Sequence, residues 1–184
     1  INTVVRENGM WKGYNTDCTG AIQALEKHIS LKGKNVLILG AGGTAKAIGF
    51  GVVERGGHLT ITYHKNRERG ESLAKELQCA LSDIHKIENL PVDVLINCSP
   101  VGMSPNTEES PVPAHALRRG MVVFDSVYNP PRTRLVRDAE AVGCITVSGV
   151  ELFVNQGAAQ FELWTGKQAP VPAMREVLMK KLGL

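Results

Sequence analysis

An open, mostly parallel α/β sheet with helices on both faces, extended by C-terminal helices, is the fold that the 184-residue sequence predicts. Three observations carry this. Val36-Leu37-Ile38-Leu39 is a continuous apolar run, the pattern of a strand buried on both faces, and Gly40-Ala41-Gly42-Gly43 follows it at once. Runs of strand length then alternate with stretches of helix length as far as Val147. From Val150 onward the chain reads as mainly helical.

Taken in order, Ile1 to Arg6 reads as a strand, Glu7-Asn8-Gly9 as a turn and Met10 to Tyr14 as its hairpin partner. Asn15, Thr16 and Asp17 are N-cap candidates for a helix from Thr19 to His28, where Ala21, Ile22, Leu25 and Ile29 recur at helical spacing. After the strand Val36 to Leu39 comes a helix from Thr44 to Arg55, stopped by Gly56-Gly57. Leu59 to Tyr63 is rich in β-branched residues and reads as the second strand of the sheet. Arg67 to Leu77 is a helix, Val92 to Asn97 a third strand and Met121 to Val127 a fourth. Arg132 to Val142 is a helix and Cys144 to Val147 a fifth strand. Val150 to Thr165 and Pro172 to Lys181 are the closing helices.

The glycine turn carries the first functional signal. Strand, G-x-G-x-x-A turn and helix form the opening of a dinucleotide-binding βαβ unit, so the doubly wound sheet is Rossmann-like. Gly40 permits the sharp exit from the strand. Gly42 lets the backbone approach a pyrophosphate with no Cβ between them. Ala45 is the small residue that allows close helix–strand packing. The N–H groups at the helix start face the phosphates. Gly40, Ala41, Gly42, Gly43, Thr44 and Ala45 are therefore the candidate phosphate-binding residues. A glycine-rich turn with no ligand is the bland alternative.

The second strand bears on the choice of nucleotide. NAD-binding units place an acid at its tip, where it holds the ribose 2′-hydroxyl. Here the tip reads Tyr63-His64-Lys65-Asn66-Arg67-Glu68-Arg69, with no acid at its end. Cations there attract a 2′-phosphate, and near a helix N-terminus they oppose the helix dipole, so their placement needs a reason. His64, Lys65, Arg67 and Arg69 point to NADP rather than NAD. The same missing acid argues against S-adenosylmethionine, and hence against a methyltransferase. Ser99 and Val101, within Asn97 to Met103, directly follow the third strand, where ligands of open α/β sheets lie.

The totals narrow the field further. A net charge of +3, scattered along the chain, gives no argument for a nucleic-acid surface. No apolar run is long enough to span a bilayer. Cys18, Cys79, Cys98 and Cys144 form no C-x-x-C pair and read as reduced thiols of a cytoplasmic protein. His28, His58, His85 and His115 have no metal-ligand spacing and read as surface residues, so no metal site is expected. The chain opens at Ile1 in a strand-like run, which suggests a piece of a longer polypeptide.

Several motifs occur in a telling order. They are Ile1-Asn2-Thr3-Val4, Gly13-Tyr14-Asn15-Thr16-Asp17, Gly40 to Ala45, Asn97 to Met103, Asp125 to Pro130, and Gly149 to Ala158. Together they resemble shikimate dehydrogenases over essentially the whole chain, notably the dehydrogenase half of the bifunctional dehydroquinate dehydratase–shikimate dehydrogenases. The resemblance implies reduction of 3-dehydroshikimate to shikimate with NADPH, in aromatic amino-acid biosynthesis. It implies that Asn2 meets a substrate hydroxyl, that Asp17 pairs with a catalytic lysine, and that Tyr128 and Gln156 line the substrate cleft. It places Ser126 and Gly149 at the nicotinamide end.

The same resemblance divides the chain. Residues 1–14 end a substrate domain, 15–148 form the NADP-binding domain, and 149–184 are helices returning toward the substrate domain. The family pattern has its catalytic lysine ahead of the Asn2 motif. The 184 residues are therefore expected to need an upstream substrate domain for turnover, since the alkoxide left by hydride delivery needs a proton donor positioned within hydrogen-bond reach. The second-strand tip departs from the family's Asn-Arg-Thr. The location implied is the cytoplasm, or the plastid for a plant protein. A nucleotide-binding module without activity and a quinate-preferring variant are the competing readings.

Each single residue also has a plainer explanation. Asp17 could only cap a helix, Gln156 could bond only to backbone, and Tyr128 beside Asn129-Pro130-Pro131 could be a turn aromatic. Asp125, close to a strand end, reads as structural.

Overall fold

The computed structural model describes residues 1–63 and 66–183, with the backbone alone at 88 and 89. A hairpin comes first: β1 (Thr3–Glu7) pairs antiparallel with β2 (Met10–Tyr14), Thr3 opposite Tyr14. Asn8 and Gly9, both at positive φ, make the turn. Helix α1 (Thr16–Glu26) starts earlier than the apolar spacing alone predicts. The cause is Asn15, whose side chain accepts the N–H groups of Asp17 and Cys18 and so draws Thr16 and Asp17 into the first turn. Asp17 is therefore a first-turn acid and not the cap.

The sheet contains β3 (Asn35–Leu39), β4 (His58–Tyr63), β5 (Ala80–Asp83), β6 (Val94–Asn97), β7 (Val122–Asp125) and β8 (Ile145–Val147), in the order β5-β4-β3-β6-β7-β8. Every pairing in it is parallel. The edge strand β5 has no counterpart in the sequence reading: Ala80-Leu81-Ser82-Asp83 is short and half polar, and its register on Thr60 to Tyr63 is what makes it a strand. The chain runs outward one way from β3 and then returns to add β6 on its other flank. The crevice between the ends of β3 and β6 is thus the topological switch point.

Burial explains the run Val36 to Leu39. Val36 and Ile38 join Val94, Ile96, Val122 and Phe124 in one core cluster. Leu37 and Leu39 join Leu95, Val123, Leu135 and Ala139 in another. Alternate side chains enter opposite layers, so every position must be apolar. On the first face lie α1 and α2 (Gly43–Glu54). On the second lies α4 (Arg134–Val142), with Leu135 and Ala139 fully buried. Helix α3 (Arg67–Glu76) joins β4 to β5 and is capped by Asn66, whose side chain accepts the Arg69 N–H at 2.9 Å.

Helix α5 (Gly149–Thr165) runs back along α1. The approach is close at Gly20, where a Cβ would stand 2.8 Å from the backbone N of Gln156. Asn155 Nδ2 donates to the Gly20 carbonyl at 3.2 Å. Farther along α5, Gln160 Nε2 donates to Thr3 Oγ1 at 3.1 Å and Trp164 Nε1 to the Val4 carbonyl at 3.3 Å, which ties the helix to the hairpin. Helix α6 (Val171–Lys181) is clasped to α5 by Arg175, whose guanidinium meets both carboxylate oxygens of Glu151. Among the described residues no helix is long and apolar enough to cross a membrane.

Candidate active site

Among the described residues, the candidate elements gather at the rim where the parallel strands end. At the tip of β3, Gly40 has φ +112°, a conformation that L side chains resist, and a Cβ there would lie 3.1 Å from the Cys98 carbonyl. The turn therefore presses directly against the end of β6. Gly42 and Gly43 differ: a Cβ on either meets nothing within 4 Å. The space beside them is open, as a pyrophosphate cradle requires. Gly42 caps α2 without a side-chain bond, which leaves the first N–H groups of the helix to an external acceptor. Ala45 is fully buried against the sheet and Thr44 borders the neighbouring cleft.

That cleft has a volume of about 330 Å³. Asn2, Asp17, Thr44, Ser126, Tyr128, Gly149 and Gln156 all border it. Residues from both ends of the chain and from its middle thus meet in one place. Its polar floor is built on α1. Asn2 Nδ2 donates to Asp17 Oδ1 and to Thr16 Oγ1, both at 3.0 Å, while Asn2 Oδ1 accepts the Thr16 backbone N–H at 2.9 Å. Thr16 is buried, and its hydroxyl lies 3.5 Å from Gln156 Oε1. Gln156 Nε2 donates to the Phe153 carbonyl at 3.1 Å, so the bond to backbone foreseen for a packed glutamine is present. The same side chain nevertheless borders the cleft.

The far wall is the loop after β7. Asp125 is completely buried. Its Oδ1 accepts Asn97 Nδ2 at 2.9 Å and the Val127 N–H at 3.0 Å, and its Oδ2 accepts the Thr133 hydroxyl at 2.6 Å. Burial raises its pKa, and these three donors oppose that rise. Asn97 in turn accepts the Ser99 N–H at 3.0 Å and the Ser99 hydroxyl at 2.6 Å, and donates to the Val101 carbonyl at 3.3 Å. One buried carboxylate thus joins the loop bearing Ser99 and Val101 to the loop bearing Ser126 and Tyr128. The structural reading of Asp125 holds. Burial also pushes the thiol of Cys98, which packs against the core, up from its ordinary value, with Asp125 adding to the effect.

Gly149 closes the wall. A Cβ there would lie 2.3 Å from the Val127 carbonyl oxygen, so only glycine lets α5 start this close to the β7 loop. Ser148 caps the helix by accepting the Val150 N–H at 3.1 Å.

Of the cations at the β4 tip, His64 and Lys65 lie outside the described residues. Arg67 and Arg69 are exposed in the first turn of α3, and Arg67 Nε donates to Glu71 Oε1 at 2.7 Å. Part of the Arg67 charge is thereby answered within the helix. His28, His58, His85 and His115 are exposed.

Four contributors escaped the sequence reading: Thr16 in the floor, and Leu152, Phe153 and Gln160 in the cleft lining. A signal for two of them existed. Leu152, Gln156 and Gln160 are spaced four apart and share one face of α5, so locating Gln156 at a cleft locates the others. Phe153 carried no such signal, since an apolar residue in an apolar helix reads as core.

Comparison with known proteins places the chain in a family. The shikimate dehydrogenase (NADP+) of Methanosarcina acetivorans is 40% identical over 99% of this chain and 69% of its own length. The chain belongs to the shikimate dehydrogenase family. The Pyrococcus abyssi shikimate dehydrogenase (NADP+) is 42% identical, over the whole of this chain and 68% of its own. The Shikimate 5'-dehydrogenase C-terminal domain family matches residues 149–179. The shikimate dehydrogenase from Thermus thermophilus, solved with NADP(H) and shikimate, superposes with a TM-score of 0.85 at 31% identity, over 96% of this chain and 66% of that one. The chain spans about two thirds of the length of these family members.

Proposed function

We propose that this chain is the nucleotide-binding part of a cytoplasmic NADP-dependent shikimate dehydrogenase, which reduces 3-dehydroshikimate to shikimate in aromatic amino-acid biosynthesis. Family membership sets the reaction class. The observation that carries the reading to these residues is the single cleft in which the Asp17 carboxylate, the start of α2 at Thr44, and Tyr128 and Gln156 face one another.

The open Cβ positions at Gly42 and Gly43 and the uncapped start of α2 fit a dinucleotide pyrophosphate. Gly40 to Ala45 hold the phosphates. His64, Lys65, Arg67 and Arg69 meet the 2′-phosphate, and Ser99, Val101, Ser126 and Gly149 border the nicotinamide end. When bound, NADPH supplies the hydride. The protein orients the ketone against it: Asn2, Tyr128 and Gln156 take the substrate hydroxyls. Asp17, held at 3.0 Å by the Asn2 amide, is an acceptor for the ammonium of a proton-donating lysine. The lysine of the family pattern matches no position in these 184 residues. Residues 1–14 close a substrate domain, 15–148 bind the nucleotide, and 149–184 return to the substrate side. The contacts of Gln160 and Trp164 with β1 support the last assignment.

Calorimetric titration with NADP+ and NAD+ tests the nucleotide reading. Tighter binding of NADP+ by about tenfold or more is expected, because a charge-assisted hydrogen bond contributes about 1.5–3 kcal/mol. Equal affinities, or a preference for NAD+, would refute it. NADPH oxidation with 3-dehydroshikimate tests the reaction, first with this chain and then with the full-length polypeptide. Turnover is expected from the second alone, and unimpaired turnover by the first would remove Asp17 from its role. No turnover by either would leave a binding module. Running shikimate against quinate separates the substrate variants.

A further inference from the structure

We infer that Phe153 is the positioning residue for Tyr128, fixing the phenol ring at the rim of the substrate cleft; this rests on the functional reading above. The two side chains come from different elements, the loop after β7 and the first turns of α5. Their ring centroids are 4.8 Å apart with planes inclined at 42°. That lies within the separation favoured by aromatic pairs, with the planes tilted rather than stacked face to face.

Both rings border the cleft that holds Asp17 and Gln156, and both are 41% exposed. The loop backbone is held on both sides of Tyr128, at the Val127 N–H by the Asp125 carboxylate and at the Asn129 carbonyl by the Ser104 N–H. The Tyr128 side chain itself leaves the core. Among the described residues its hydroxyl has no hydrogen-bond partner, so the bond network does not set its rotamer. The neighbouring ring does. A tyrosine free to sample its staggered wells would have to be ordered at each binding event, and a ring already held there avoids that cost.

An exposed phenylalanine is in general unremarked surface. Here it faces a cleft, touches a second ring, and stands three residues before Gln156, whose amide its carbonyl accepts at 3.1 Å. Replacing the ring leaves that carbonyl in place, so the two contributions separate by mutation.

The test is a double-mutant cycle in the full-length polypeptide, with Phe153→Ala, Tyr128→Ala and the pair, following shikimate oxidation by NADP+. Phe153→Ala is expected to raise KM for shikimate about three- to tenfold, the range of an aromatic pair. The NADP+ Kd should stay within about twofold, and the melting temperature should hardly move, since the ring is not core. Phe153→Tyr should restore the KM. In the Tyr128→Ala background, Phe153→Ala should have no further effect. An unchanged KM in Phe153→Ala, or the same fold-loss with and without the Tyr128 ring, overturns the inference. A wild-type enzyme that fails to oxidise shikimate with NADP+ overturns the functional reading instead, and this one with it.

Discussion

Asn2 Nδ2 and Asp17 Oδ1 are 3.0 Å apart although fifteen positions separate them in the chain. The hairpin reversal at Asn8-Gly9 brings the start of β1 beside the start of α1, and Asn2 then serves Thr16 and Asp17 together. A carboxylate at a cleft is held by a neutral amide, which orients it without cancelling its charge.

Asn2→Ala removes that orientation. Asn2 is exposed, so the stability cost should be small, about 0.5–1.5 kcal/mol for the lost hydrogen bonds. Turnover of the full-length polypeptide should fall more than tenfold. Asn2→Asp should fall further, because it sets a second carboxylate against the first. Melting curves and steady-state rates measured side by side check both, and wild-type rates in either variant would remove Asn2 from the site.

Gly40 and Gly42 should respond in opposite ways. Gly42→Val puts its side chain into open space, so its cost to the fold is that of a poor helix cap, about 1 kcal/mol. Binding of NADP+ should nevertheless be abolished. Gly40→Ala must adopt φ near +112° and push against the Cys98 carbonyl, which costs about 1–3 kcal/mol in the fold itself. Calorimetry and thermal melts on the two variants distinguish the cases, and near wild-type binding by Gly42→Val would show that the phosphate loop lies elsewhere.

Gly149→Ala should damage fold and cleft together. Its Cβ would overlap the Val127 carbonyl, so α5 and the Ser126–Tyr128 loop must separate, at about 1–3 kcal/mol of overpacking strain. Weaker NADP+ binding with a lower melting temperature is the expected pair of results. A variant that melts and binds like wild type would mean the helix start can retreat freely.

The Glu151–Arg175 clasp should make stability depend on pH. The hydrogen bond from Arg175 holds the Glu151 carboxyl below its ordinary value of 4.5, against the opposing effect of burial. A depressed carboxylate contributes stability above the unfolded value and loses it as pH falls through the folded one. The difference in melting temperature between wild type and Glu151→Gln should thus be present at neutral pH and shrink below pH 4.5. The pair is partly exposed, so its contribution after solvent screening is about 1 kcal/mol, or roughly 2–4 °C. A difference independent of pH would assign the effect to packing alone.

The chain announced its architecture where physics is local. The apolar run of β3, the glycine turn and the helical spacing of α1 needed no partner to be read, and their places in the fold follow from them. The edge strand β5 was invisible because Ala80 to Asp83 becomes a strand only through its register on β4. The start of α1 was misjudged because the apolar period begins after the capping residue has already turned the chain. In the site, residues of distinctive chemistry such as Asp17 and Gln156 could be named in advance. Phe153 and Thr16 could not, since what they do depends on a neighbour that only the folded chain supplies.

The parallel sheet gives the molecule two unlike rims. The strands all end on the side where the candidate residues gather, and they all begin on the other, at turns such as Lys32-Gly33 and Arg119-Gly120, whose residues are exposed. The glycines in both occupy the left-handed region, and a Cβ on either would meet no neighbour. This lower rim is accordingly the place to attach a fluorophore, splice in a tag or tether the protein to a surface. Such an addition would stand a full strand's length away from the mouth of the cleft.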